Sequence, residues 1–363
     1  MSSSLPRVAI VGATGAVGTE LITCLERRAF PLRELRLFAS ARSAGSRRSF
    51  RGGSLPVETL DQQSLTQVDI ALFSAGSTIS RLYAPAAAQA GTVVIDNSSA
   101  FRMEDGVRLV VPEVNGEQIG SHGGIIANPN CVAIIAAVPL WPLHRAFSIR
   151  RIIAATYQAA SGAGAAAMAE LLQATRAALT GEGFAPRVLR HPYAFNLYSH
   201  DSAVDPASGS NEEEIKVARE LRKIMSAAQL QLGVTCIRVP VLRAHAIALT
   251  VEFDRRVSPT EARAALAAAP GVRLVDNAEA NHFPMPLEAS GQDDVLVGRI
   301  RRDGSDPSER SLSMFIAGDQ LLKGAALNAV QIAESLPASP RSARGIRNTP
   351  PRGCIAPPTD SPA

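Results

Sequence analysis

Over the first 130 residues, short apolar runs alternate with amphipathic stretches. Arg7-Val-Ala-Ile-Val11, Leu35-Arg-Leu-Phe-Ala39, Val68-Asp-Ile-Ala-Leu-Phe73 and Thr92-Val-Val-Ile-Asp96 have the length and composition of buried strands. Between them, Glu20-Leu-Ile-Thr-Cys-Leu-Glu26 and an Ala-rich segment, 79–90, carry helical spacing. Strands alternating with helices predict a parallel, doubly wound α/β sheet.

Beyond this point the pattern changes. Pro129 biases Asn128 toward extended backbone, and the apolar residues 132–138 span two helical turns before Pro139, so Cys131 is expected where a loop enters a short helix. A strand over 151–157 then leads through Gln158-Ala-Ala-Ser-Gly-Ala-Gly164 to a helix over 165–179, followed by a long polar stretch, 181–209. Residues 212–225 form an amphipathic helix that begins with three acidic residues, and strands follow at 235–241, 246–253, 295–301 and 312–317. A helix over 321–335 is expected to return to the first domain, giving domains 1–130 (completed by 321–336) and 131–320. The last 27 residues hold seven prolines and no periodic apolar pattern, so 337–363 is expected to be a disordered Pro/Arg-rich tail.

Composition supports two sizeable cores: 363 residues, 46% hydrophobic. The apolar runs are too short to span a bilayer, and Met1-Ser-Ser-Ser-Leu-Pro-Arg7 has no apolar signal region, so no membrane role is expected. The formal charge of +4 is concentrated in the tail, where four arginines face one aspartate; the body is near +1, which gives no argument for nucleic acid. Cys24, Cys131, Cys236 and Cys354 are widely spaced, so a metal site is not expected, and reduced thiols in the cytoplasm are the simplest reading.

Several stretches carry candidate chemistry. Gly12-Ala-Thr-Gly-Ala-Val-Gly18 joins the first strand to a helix, the arrangement that lets backbone amides approach a dinucleotide pyrophosphate. The second strand ends in Ser40-Ala-Arg-Ser43 rather than an acidic residue, which suits a 2′-phosphate and hence NADP; a solvated basic loop with Arg47, Arg48 and Arg51 is the plainer alternative. Ser74, Ser77 and Arg102 follow the next strands, at the sheet edge where ligands bind. Cys131 at a helix start is expected to favour its thiolate. Glu213 and Lys216, three apart, share a helix face, and Arg238 precedes His245 by seven residues.

In order and spacing, several motifs resemble the aspartate-semialdehyde dehydrogenase family. They are the glycine turn, Arg42-Ser-Ala-Gly45, Asn97-Ser-Ser-Ala-Phe-Arg102, Asn128-Pro-Asn-Cys131, the 157–164 turn, Arg238-Val-Pro-Val241 with His245, Val297-Gly-Arg-Ile-Arg-Arg-Asp303, and Lys323-Gly-Ala-Ala-Leu-Asn-Ala-Val-Gln331. The resemblance implies a Rossmann-type dinucleotide-binding domain and an α+β catalytic and dimerisation domain. It implies NADPH-dependent reduction of L-aspartyl 4-phosphate to the semialdehyde with phosphate release, in lysine, threonine and methionine biosynthesis, by a homodimer. Cys131 would form a thioacyl intermediate, His245 would be the acid/base and Gln158 would orient the acyl group. Arg238 with Glu213 would hold the amino-acid end; Arg102, Asn130 and Lys216 would hold the phosphate. The implied cofactor contacts are Gly12, Thr14, Gly15, Ala16, Val17, Gly18, Ser40, Arg42, Ser43, Ser74, Ser77, Ser161, Gly162 and Gln320. The competing readings are an N-acetyl-glutamyl-phosphate reductase, of the same fold and chemistry, and a catalytically weak or silent NADP-binding paralogue.

Overall fold

The computed structural model of the chain describes residues 5–61 and 63–337. The tail expected to be disordered, with Cys354, lies from residue 338 onward outside the described residues.

The alternation in the first half builds an eight-stranded sheet in the order Arg47–Phe50, Gly53–Thr59, Glu34–Ala39, Arg7–Val11, Ile70–Phe73, Val93–Asp96, Ile125–Ala127, Arg108–Leu109. Neighbours are parallel except Arg47–Phe50, which runs antiparallel to Gly53–Thr59. Chain order reverses direction about the first strand, so the ends of Arg7–Val11 and Ile70–Phe73 make the crevice where doubly wound sheets bind ligands. The basic stretch after residue 46 is therefore a hairpin rather than a loop, turned by Arg51 and Gly52 with φ of 49° and 73°. Its strands and the short pair Arg108–Leu109 and Ile125–Ala127 lack a long apolar run, which is why the pattern did not show them.

The second half builds a seven-stranded mixed sheet: Tyr198–Ser199, Gln231–Arg238, Ile149–Gln158, His245–Phe253, Ser311–Gly318, Val295–Arg302, Val272–Leu274. The strand expected over 235–241 starts earlier and stops at Arg238, because Pro240 has no N–H to donate to a ladder. Within 181–209, Leu189 and Tyr193 pack on Ala167 and Leu171 of the helix Ala165–Thr180, and buried Glu170 accepts the N–H groups of Arg187, Val188 and Leu189.

A long helix lies in the core that links the two sheets. Pro139 was expected to end it, yet Cys131–Phe147 runs through both Pro139 and Pro142. Val132, Ile134, Ile135, Val138, Leu140 and Leu143 are all buried. At roughly 1.5–3 kcal/mol per buried aliphatic side chain, they outweigh two interior prolines at about 3 kcal/mol each. They pack against Ile152, Ile247, Leu249 and Ile316 of the second sheet, and Leu109 and Ala127 of the first belong to the same core. The 321–335 helix begins as a π-turn, Leu322–Ala326, and continues as Leu327–Glu334. Leu322, Leu327 and Val330 join the core of the first sheet with Val8, Ile10 and Leu25.

Candidate active site

Strand ends from both sheets converge on one open pocket of about 380 Å³. Ser74, Asn97, Ser98 and Asn128 come from the first sheet, Gln158 and Arg238 from adjacent parallel strands of the second, where they are register partners. Cys131, Arg102, Asn130, Glu213, Ser161, Gly162 and Gln320 line the same pocket. Residues far apart in sequence thus meet because strand carboxyl ends, the loops that follow them and helix starts converge there.

Cys131 is the first residue of its helix, as expected, and is partly exposed. Its titration differs from the expectation. Burial, followed by the Glu213 carboxylate, pushes the thiol up to about 12, outweighing Arg102, the Val132 N–H and Arg238. The helix terminus does not make up the difference, and its first N–H groups also serve the Asn130 side-chain cap, which accepts from Val132 N at 2.9 Å and Ala133 N at 3.3 Å. In the free protein Cys131 is therefore a thiol. On the far side of Cys131 stands the π-turn: a Cβ placed on Gly324 would lie 3.0 Å from the Cys131 Cβ.

Arg102 and Asn130 are joined by a residue the sequence reading missed. Glu220, buried, takes the Arg102 Nη1 at 3.1 Å on one oxygen and the Asn130 backbone N–H at 2.5 Å on the other. Arg102 also donates to the carbonyls of Asn128 and Asn97, which fixes its plane. Asn130 Nδ2 donates to Glu213 at 2.8 Å. The signal for Glu220 was present: it falls on the stripe Val217, Leu221, Ile224, where a charge is costly unless paired. Lys216 is not brought to the pocket lining; its ammonium pairs with Glu212 one turn back at 3.2 Å.

His245 and Arg238 flank Gly162. A Cβ on Gly162 would lie 3.1 Å from His245 Nε2 and 3.5 Å from Arg238 Nη1, and in each case this buried nitrogen has no hydrogen-bond partner. His245 Nδ1 accepts the Ala159 N–H at 3.0 Å. A backbone amide can only donate, so the neutral ring carries its proton on Nε2 and presents a donor. Burial, then the Arg238 and His200 charges, lowers the His245 pKa to about 3. In the free protein the neutral ring therefore presents Nε2–H as a hydrogen-bond donor, and that nitrogen has no lone pair with which to accept. A stability consequence follows. As pH falls from ~6.5 toward 3 the unfolded chain binds a proton at this residue that the folded chain refuses, so stability drops by up to about 1.4 kcal/mol per pH unit in that window. Urea unfolding at pH 7 and pH 5 should show His245→Gln losing less stability than the wild type; parallel losses would contradict the buried neutral ring.

The glycine turn fits a pyrophosphate. Gly15 is exposed and precedes the helix Ala16–Arg27, whose first turn has no side-chain cap and no acidic residue. Gly12 and Gly18 serve packing instead: a Cβ on Gly12 would lie 2.4 Å from Ser74 O, and one on Gly18 2.1 Å from Gly12 O. Val17 and Ser74 reach the pocket lining; Thr14 is half-buried in the turn. Ser40, Arg42 and Ser43 form the turn after the second strand, Ser43 N bonding Ser40 O at 2.8 Å with Arg42 exposed. Ser77 opens the helix Ser77–Gln89 and bonds Ser99 at 3.0 Å. Gln320 Nε2 donates to Ser161 Oγ, and its Oε1 accepts from Ala244 N at 2.9 Å.

Comparison with known proteins places this architecture. Residues 7–122 match the family model "Semialdehyde dehydrogenase, NAD binding domain", and 140–323 match "Semialdehyde dehydrogenase, dimerisation domain". The chain is 51% identical over 330 residues to an aspartate-semialdehyde dehydrogenase of Synechocystis sp., covering 91% of this chain and 97% of that one. It is 46% identical over 335 residues to that of Aquifex aeolicus, covering 91% and 97%. Among solved structures, aspartate semialdehyde dehydrogenase II of Vibrio cholerae, complexed with ASA, superposes with a TM-score of 0.88 at 40% identity, covering 92% of this chain and 98% of that one. With two matched domains, near full-length coverage and the shared fold, the chain belongs to the aspartate-semialdehyde dehydrogenase family.

Proposed function

We propose that this protein catalyses the NADPH-dependent reduction of L-aspartyl 4-phosphate to L-aspartate 4-semialdehyde, releasing phosphate. The observation that carries it is the convergence of Cys131, Gln158, Glu213 and Arg238 on one pocket beside the glycine turn. Arg238 pairs with the substrate's carboxylate and Glu213 with its ammonium. Neutralising Glu213 in this way removes the second cause that holds the Cys131 thiol up, so binding of substrate assists ionisation. An N-acetylated substrate has no ammonium to offer Glu213.

The Cys131 sulphur bonds to the acyl carbon while the carbon–phosphate oxygen bond breaks, and phosphate leaves with the electron pair and the thiol proton, beside Arg102, which lines the pocket. Gln158, buried at its strand end, orients the acyl group. When bound, the nicotinamide supplies hydride to the thioester carbon. His245 Nε2–H hydrogen-bonds the oxyanion that develops; as that oxygen's electron pair re-forms the carbonyl, the carbon–sulphur bond breaks and its electrons return to the Cys131 sulphur. Phosphate-dependent reduction of NADP in the presence of aspartate semialdehyde tests the reading; a folded protein that binds NADP without turnover would be the silent paralogue.

The Ser40–Ser43 turn supports NADP over NAD. Arg42→Ala is expected to weaken NADPH binding by about 1.5–3 kcal/mol, the range for a charge-assisted hydrogen bond, with NADH affinity little changed. Titration by protein fluorescence quenching checks this, and equal losses for both cofactors would remove Arg42 from 2′-phosphate recognition. Homodimer formation is supported by the dimerisation-family match and by a second-sheet face that leaves Ile153 49% exposed, with Arg151 beside it also exposed. Cys24, Cys131 and Cys236 are all unbridged thiols, which supports a cytoplasmic setting.

A further inference from the structure

The segment after residue 197 reaches the active site in a way that the motifs did not indicate. Tyr198 and Ser199 pair antiparallel with Arg238 and Ile237, and His200 N donates to Cys236 O at 2.8 Å. The chain then turns so that Asp201 meets Arg238, its Oδ1 accepting from the guanidinium Nε at 3.4 Å. Ser202 Oγ accepts the Glu213 N–H at 3.2 Å, tying the same turn to the helix that carries Glu213. Burial would raise the Asp201 carboxyl, but the Arg238 charge and further hydrogen bonds outweigh it and hold the group below the usual carboxylate range.

Arg238 and Glu213 carry opposite charges and line one pocket. With no substrate between them they attract, and in a partly enclosed site that attraction is stronger than in water. Two contacts hold them apart: Asp201 on Arg238 Nε, and Asn130 Nδ2 on Glu213. The Arg238 Nη1 is left buried and without a partner beside Gly162. An arginine bound by Nε alone still presents its Nη donors to a carboxylate, so the contact orients the side chain without consuming its recognition edge.

We propose that Asp201 is a positioning residue for substrate recognition: it anchors Arg238 through Nε, keeps it from collapsing onto Glu213, and so holds the amino-acid subsite open. This rests on the proposed function, which assigns the substrate's carboxylate to Arg238.

The test compares wild type, Asp201→Asn and Asp201→Glu. The probe of the subsite is L-2-aminobutyrate, which has the same ammonium and carboxylate on an unreactive chain, titrated into the NADP-bound protein by calorimetry. Asp201→Asn, which keeps the shape and loses the charge, should weaken 2-aminobutyrate binding and raise the KM for aspartate semialdehyde on the order of tenfold to a hundredfold. The KM for phosphate, the affinity for NADP and turnover of propanal, which lacks both charged groups, should be unchanged, and Asp201→Glu should recover part of the loss. A merely structural role would lower propanal turnover and aspartate semialdehyde turnover together, and would overturn the proposal. Wild-type 2-aminobutyrate affinity in Asp201→Asn would overturn it as well. Wild-type turnover of aspartate semialdehyde stands or falls separately, so failure of the functional reading is distinguishable from failure of this one.

Discussion

Replacing Cys131 by alanine or by serine is expected to abolish reduction of the acyl phosphate, lowering kcat by a factor on the order of 10⁴ or more. Alanine removes the bond-forming atom. Serine keeps a hydroxyl, but its much higher pKa leaves almost none ionised near neutral pH, in a pocket where even the thiol is pushed up to about 12. Both variants should bind NADP as the wild type does, because Cys131 is part of neither the glycine turn nor the Ser40–Ser43 turn. Steady-state kinetics with a cofactor titration checks this; substantial turnover by Cys131→Ala would show that chemistry proceeds without the covalent path.

At His245 the two amides are expected to behave differently. The glutamine amide nitrogen reaches approximately where Nε2 stands, whereas that of asparagine reaches only to Nδ1. Since the structure presents Nε2–H as a donor with Nδ1 occupied by the Ala159 N–H, His245→Gln should retain part of the activity. His245→Asn should lose on the order of 10²–10³ in kcat, the cost of one preorganised oxyanion donor. Equal losses in the two variants, recovered as pH is raised toward the thiol pKa, would be the signature of a missing base and would contradict the donor role.

Much of the fold could be read from period and punctuation. The first sheet's central strands are continuous apolar runs, and the turn from Gly12 to Gly18, set between the first strand and its helix, marks the crevice. What was hidden depended on tertiary burial. The Cys131 helix passes Pro139 because residues 132–140 are all buried, a fact the local propensity of proline does not contain. The candidate site was legible where residue type and position both pointed to chemistry, as for Cys131, Arg238 and Glu213. It was illegible where a residue's role depends on a partner: Glu220 matters because Arg102 and Asn130 converge on it from 118 and 90 residues away. Lys216, of suitable type and spacing, is placed by the structure beside Glu212, outside the pocket lining. The thiol's protonation was misjudged for a related reason, since the sequence shows the helix start at Cys131 but not that Asn130 caps it or that Glu213 stands nearby.

The covalent role of Cys131 is the claim on which the mechanism depends. Protein incubated with aspartate semialdehyde and NADP in the absence of phosphate, quenched in acid and digested, should yield an aspartyl thioester on the peptide that contains Cys131, seen by mass spectrometry. The adduct should be absent without NADP, because oxidation of the thiohemiacetal needs a hydride acceptor. An adduct on Cys24 or Cys236 instead, or phosphate-dependent turnover with an unmodified Cys131 peptide at every quench time, would contradict the account.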